Sequence, residues 1–302
     1  MADSKNISKI GAILSNTAVP LKARFRALFT LKGLGGKVAI DEITSNFKDD
    51  SSLLKHEMAY CLGQMQDDYA LNVLRNLIED SSQDTIVRHE AAEALGAIGK
   101  LEDLNLLEKY SVSPPVELAE TCQLAVSRIH WLQKATEKEL SEANLFNSVD
   151  PAPPFVDHSL SVEELTSQLL DEEASLFTRY RAMFTLRNMK TKESVLAICQ
   201  GFKGSSVLFR HEVAYVLGQI AHEASETALT SSLANTSEVD IVRHECAEAL
   251  GAIATPSCIS TLQQFINDKH RIVRESCEVA LDMADYEMGN EFQYADALQA
   301  VV

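Results

Sequence analysis

The stretch "IVRHEAAEALGAI" at Ile86–Ile98 returns as "IVRHECAEALGAI" at Ile241–Ile253, with one substitution in thirteen positions. Ala, Leu and Ile recur at helical spacing in both copies, which predicts an amphipathic helix with a small-residue packing face. Packing alone gives such a helix no reason to keep a titratable His-Glu pair near its start. Both copies keep one.

Working outward, "RFRALFTL" at Arg24–Leu31 matches "RYRAMFTL" at Arg179–Leu186, and "LKHEMAYCLGQM" at Leu54–Met65 matches "FRHEVAYVLGQI" at Phe209–Ile220. Arg24 and Arg179, His56 and His211, and His89 and His244 are each 155 residues apart, so the chain is a duplication whose copies stay in register. Each copy has a shorter period. Phe25, His56, His89 and Ala119 fall at equivalent positions 31, 33 and 30 residues apart, and Tyr180, His211, His244 and Arg274 repeat the series. A period near 30 with a second apolar helical segment between copies, such as "YALNVLRNLIED", predicts helix–turn–helix units that bury their apolar faces only by stacking. No alternating valine- and aromatic-rich runs point to strands. The consensus resembles HEAT-like repeats, also found in phycobilisome-lyase-type proteins, with Ala91, Ala92, Ala94 and Gly96, and Ala247, Ala249 and Gly251, expected to let the paired helices approach closely. The expected fold is all-α: an α-solenoid of eight HEAT-like helix pairs in two pseudo-symmetric halves of four. The first half covers residues 1–132 and the second 161–302. Between them, residues 133–160 read as a linker, because Pro151, Pro153 and Pro154 fall within four residues and break helix. That linker is long enough to let the halves face one another.

Composition narrows the function. A formal charge of −17 argues against nucleic acid and favours a basic partner, unless the charge serves only solubility. No apolar run is long enough to span a bilayer, and the first residues lack the apolar stretch of a signal peptide. Six cysteines without a CxxC pair read as reduced thiols in a cytoplasmic protein rather than a disulfide framework or zinc site.

Four of the eight histidines are equivalent, and each precedes a glutamate: His56-Glu57, His89-Glu90, His211-Glu212 and His244-Glu245. They occupy only the second and third repeats of each half. At the outer repeats the same positions hold Phe25-Arg26, Ala119-Glu120, Tyr180-Arg181 and Arg274-Glu275, so a shared structural consensus does not explain the histidines. Equivalent positions on stacked helices lie side by side, which lets His56 and His89 share one small site and His211 and His244 another. Two histidines and one carboxylate per half would make the facial triad of a non-heme iron site, with positions open for oxygen. Duplication would then place two metals close together. Glu93 and Glu248, four residues beyond His89 and His244, share their helical face as ligands or supporting groups. His222-Glu223 lies outside the pattern, matching Asp67-Asp68, and reads as a solvated loop pair; His130, His158 and His270 have no symmetry mates.

Eight HEAT-type units, four in each half of a duplication around a linker, with "KHE" or "RHE" in the two central units of each half, resemble the deoxyhypusine hydroxylase family over nearly the whole chain. The resemblance implies a di-iron, O2-dependent monooxygenase that hydroxylates the deoxyhypusine side chain of a translation factor precursor to hypusine. It further implies that His56, His89, Glu90, His211, His244 and Glu245 bind two Fe, while Glu57 and Glu212 face the substrate amines. Two other readings compete: a non-catalytic HEAT scaffold for a basic partner, and a di-zinc hydrolase. Metal content separates all three.

Overall fold

The computed structural model describes residues 4–142, 146, 148–157 and 159–289, and among these there is no strand. Eight helix pairs follow one another. They are α1 (Ser4–Ser15) with α2 (Leu21–Leu34), α3 (Gly36–Thr44) with α4 (Ser52–Gln64), α5 (Leu71–Glu79) with α6 (Thr85–Ile98), and α7 (Leu104–Tyr110) with α8 (Val116–Leu132). After the short α9 (Glu137–Glu142) come α10 (Val162–Leu170) with α11 (Leu176–Met189), and α12 (Lys192–Cys199) with α13 (Val207–Ile220). The last pairs are α14 (Glu226–Ala234) with α15 (Asp240–Ile253), and α16 (Pro256–Phe265) with α17 (Arg271–Glu287). The expected pattern of paired helices is therefore present. No described helix is long and apolar enough to cross a membrane, and all six cysteines are free.

Local chemistry sets the helix starts. Ser51 accepts a hydrogen bond from the Leu54 amide at 3.0 Å at the head of α4, and Ser206 does the same for Phe209 at 3.0 Å at the head of α13. Within the first and third pairs of each set of four, a buried arginine fastens the second helix to the first. The Nε atoms of Arg24, Arg88, Arg179 and Arg243 donate to the carbonyls of Leu14, Ile78, Leu169 and Leu233 at 2.8, 3.0, 3.0 and 2.8 Å. Each acceptor lies in the last turn of the first helix, where carbonyls lack helical partners and the dipole favours a cation.

Successive second helices touch through their small residues. A Cβ on Gly63 of α4 would lie 2.8 Å from the Ala94 Cα of α6, and one on Gly96 would lie 2.9 Å from the Ala125 Cα of α8. The duplicate contacts join Gly218 of α13 to Ala249 of α15, and Gly251 to Ala280 of α17, at 3.0 and 2.8 Å. Glycine is required here by backbone approach, which brings the rows bearing the histidines side by side.

Between Val126 and Ser127, inside α8, the chain divides into two compact units. The described residues of 133–157 belong with the second. There Pro151, Ala152, Pro153 and Pro154 are buried rather than solvated. This strap is tied to α11: Arg181 donates to the Pro153 carbonyl at 3.2 Å, and the Phe155 amide donates to Thr185 Oγ1 at 2.8 Å.

Candidate metal centre

All four His-Glu pairs sit on second helices and are buried, on α4 and α6 in the first unit and on α13 and α15 in the second. The outer repeats use the same positions otherwise. Phe25 and Tyr180 fill the core, and Arg274 donates to the Asp268 carbonyl at 2.6 Å.

In the first unit the His56 and His89 rings lie 5.5 Å apart, centroid to centroid, tilted by 40°. Glu90 reaches across from α6, placing Oε2 3.2 Å from His56 Nε2. Glu57 turns back to its own neighbour, with Oε1 3.2 Å from His56 Nδ1. Side chains one residue apart diverge around a helix, yet this carboxylate is long enough to close the gap. Burial disfavours a charged imidazole, but the Glu90 carboxylate and hydrogen bonds to Glu57 and Glu90 outweigh it. His56 is therefore held well above the ordinary histidine range. His89, Glu90 and Glu93 offer donor atoms within 4.8 Å of one another, a spacing that one cation can bridge.

The second unit repeats the arrangement. The His211 and His244 rings lie 5.4 Å apart at 42°. Glu245 again reaches across, with Oε2 3.3 Å from His211 Nε2 and 4.0 Å from His244 Nε2. His211, His244 and Glu245 form a second group with donor atoms within 4.8 Å. Glu212, beside His211, is buried. Behind His244, Glu248 Oε1 lies 3.5 Å from Nδ1, and Ser276 Oγ donates to Glu248 at 3.1 Å. Sequence reasoning singled out Glu248 but missed Ser276, whose duplicate is Thr121. Thr121 donates instead to the Glu117 carbonyl of its own helix at 2.8 Å.

The remaining histidines lie apart from these clusters. His222 begins the short helix Glu223–Ser225, where its Nδ1 accepts from the Ala224 amide at 3.0 Å. His270 faces Asp240 at 3.4 Å, His130 is exposed on α8, and His158 lies outside the described residues.

Two imidazoles and a carboxylate converge in the second unit, and one imidazole and two carboxylates in the first, so both donor sets suit a borderline divalent metal. Fold and clusters together define a HEAT-repeat protein with a metal-capable histidine–glutamate cluster in each unit. The HEAT-repeat family model matches residues 22–125 and 195–282. Deoxyhypusine hydroxylase of Rattus norvegicus is 56% identical over 99% of this chain and 98% of its own length, and that of Homo sapiens is 54% identical over the same shares. The solved structure of human deoxyhypusine hydroxylase in complex with glycerol superposes with a TM-score of 0.90 at 53% identity, covering 94% of this chain and 97% of that one. The chain belongs to the deoxyhypusine hydroxylase family and is an enzyme.

Proposed function

We propose that this chain hydroxylates deoxyhypusine on a translation factor precursor, using O2 and two iron ions, one per unit, in the cytoplasm. The observation that carries the reading is the matched reach of the third-repeat glutamate, 3.2 Å from the neighbouring helix's histidine in one unit and 3.3 Å in the other. In this reading His56, His89 and Glu90 hold one iron, and His211, His244 and Glu245 hold the other. Iron would supply the insertion of oxygen into a C–H bond, chemistry that no ordinary side chain performs.

The protein's part is to hold and orient. Buried imidazoles must present Nε2 without a proton to ligate, and the carboxylates around them offset the metal's charge where water is scarce. Glu57 and Glu212 are the carboxylates assigned to the substrate amines. A cationic amine entering a buried site needs an anionic partner, since an unpaired charge taken from water is costly. The net charge of −17 supports a cationic substrate on a basic carrier, and the six free thiols support a reducing compartment.

The test is iron content and substrate binding measured side by side. Wild-type protein should carry about two irons per chain. His56→Ala, His89→Ala, His211→Ala and His244→Ala should each lose iron, by roughly tenfold or more in affinity, while His222→Ala keeps it. Glu90→Ala and Glu245→Ala should lose iron, whereas Glu57→Ala and Glu212→Ala should keep most iron and bind the deoxyhypusine-bearing protein weakly. Zinc in place of iron, or equal iron loss in all four glutamate variants, would overturn this assignment.

A further inference from the structure

Arg187 on α11 is a charged side chain with no solvent exposure. Its two terminal nitrogens donate to the Asp150 carboxylate of the strap at 2.9 and 2.7 Å, and Nη1 also donates to Gln219 Oε1 at 2.7 Å. Gln219 donates in turn to the Tyr215 hydroxyl at 3.0 Å and to Ser148 Oγ at 3.2 Å, and Ser148 closes the circuit by donating to Asp150 Oδ1 at 2.6 Å. The Phe146 ring covers the Arg187 guanidinium at 4.3 Å and Phe184 lies at 4.7 Å.

Tyr215 and Gln219 lie four and eight residues beyond His211 on α13, so all three share one face of that helix. The network therefore connects the strap, through Arg187, to the helix face that carries a candidate ligand. Stability alone is a poor reason for such a pair, because apolar residues of similar volume do as well in most buried sites. What a planar, two-pronged guanidinium supplies is direction. The duplicate of Arg187 in the first unit is Lys32, whose ammonium sits 5.6 Å from the Phe29 ring and 5.2 Å from the Tyr60 ring. Lysine has no fork with which to clamp a carboxylate.

We infer that Asp150, Arg187 and Gln219 are positioning residues that fix how far α13 presents His211 toward Glu245. The inference rests on the metal reading above and adds residues that touch neither metal nor substrate. Rotation of α13 about its axis would break the bonds of Gln219 at once. The network sets the helix face, and the face sets the reach of Nε2.

The experiment uses the full chain and Gln219→Leu, which removes the amide but leaves the Asp150–Arg187 pair in place, with Gln219→Glu as the conservative variant that still accepts from Arg187. Metal affinity at the two sites is read by competition with a chelator, and histidine ring signals are read by NMR on metal-free protein. In Gln219→Leu one of the two metals should weaken roughly tenfold or more while the other is unchanged. The ring signals of His211 should move and those of His56 should stay, and Gln219→Glu should restore most of both. Unmoved His211 signals with two metals at wild-type affinity would overturn the inference, as would equal weakening of both metals with a lowered Tm, the mark of a merely structural role. If the wild-type chain binds no metal, the two-iron reading fails by that result. The His211 and His56 ring signals of the metal-free variants then decide the present one.

Discussion

At the scale of single residues, His56 is the most revealing group. Its folded-state pKa is raised, so in metal-free protein it contributes stability that is full below pH 6.5 and fades as pH climbs toward the folded value. The Tm of metal-free wild type should therefore fall relative to His56→Gln as pH rises above about 6.5, as calorimetry over a pH series can test. Identical profiles would mean that Glu57 and Glu90 do not hold the proton. Ligation through Nε2 requires that proton to leave, so metal uptake in the first unit should release it and strengthen with rising pH. The four histidines were legible in the sequence because the duplication displayed them four times, against outer repeats that lacked them. Ser276 was not legible, since its duplicate is a threonine bonded to its own helix. Nor was the turn of Glu57 back to His56, because side-chain length defeats an argument from helical angle.

Among elements, the small residues carry the design. Sequence reading assigned the close approach of Ala94 and Gly96 to the two helices of a pair, and the structure locates it instead between second helices of successive pairs. Gly63→Val should cost about 1–3 kcal/mol, because the new Cβ meets the Ala94 backbone, which cannot rotate away as a side chain does. It should also lower metal affinity in the first unit, since α4 and α6 carry His56 and His89. Gly33→Ala is the counterpart. Nothing lies within 4 Å of a Cβ there, in the last turn of α2, so it should stabilise by about 0.5–1 kcal/mol. Denaturant melts of the two variants should move in opposite directions. The four arginines that tie alternate pairs together were hidden, because their acceptors are backbone carbonyls ten residues upstream and carry no sequence signal.

For the molecule as a whole, the repeat count and the duplication could be read directly, because both are periodic. The place where the chain divides could not be. The prolines of 151–154 mark a break in helix, and in solvent such a segment would be a free tether. Here Arg187, 37 residues beyond Asp150, holds it down, a pairing with no period to betray it. Charge belongs to this scale too. With −17 formal charges, association with a basic protein substrate should be fastest at low salt and slow steeply as ionic strength screens the field. Stopped-flow measurement of the association rate checks this, and a rate indifferent to salt would leave the charge a role in solubility alone.

The anchoring of the strap also decides where the chain can be opened. Residues 133, 134, 136–138, 140 and 141 are exposed, whereas 150–154 are buried. A non-selective protease should nick first around Lys134–Lys138 and spare the prolines, although the prolines look in sequence like the natural hinge. Arg128, upstream of such a nick, donates to the Asp150 carbonyl downstream of it at 2.8 Å. Anyone splitting this enzyme into two expressible pieces should therefore cut after α8 and leave Asp150 with its guanidinium. A cut at Pro151 would hand the carboxylate to the wrong fragment and strand a buried cation in the other.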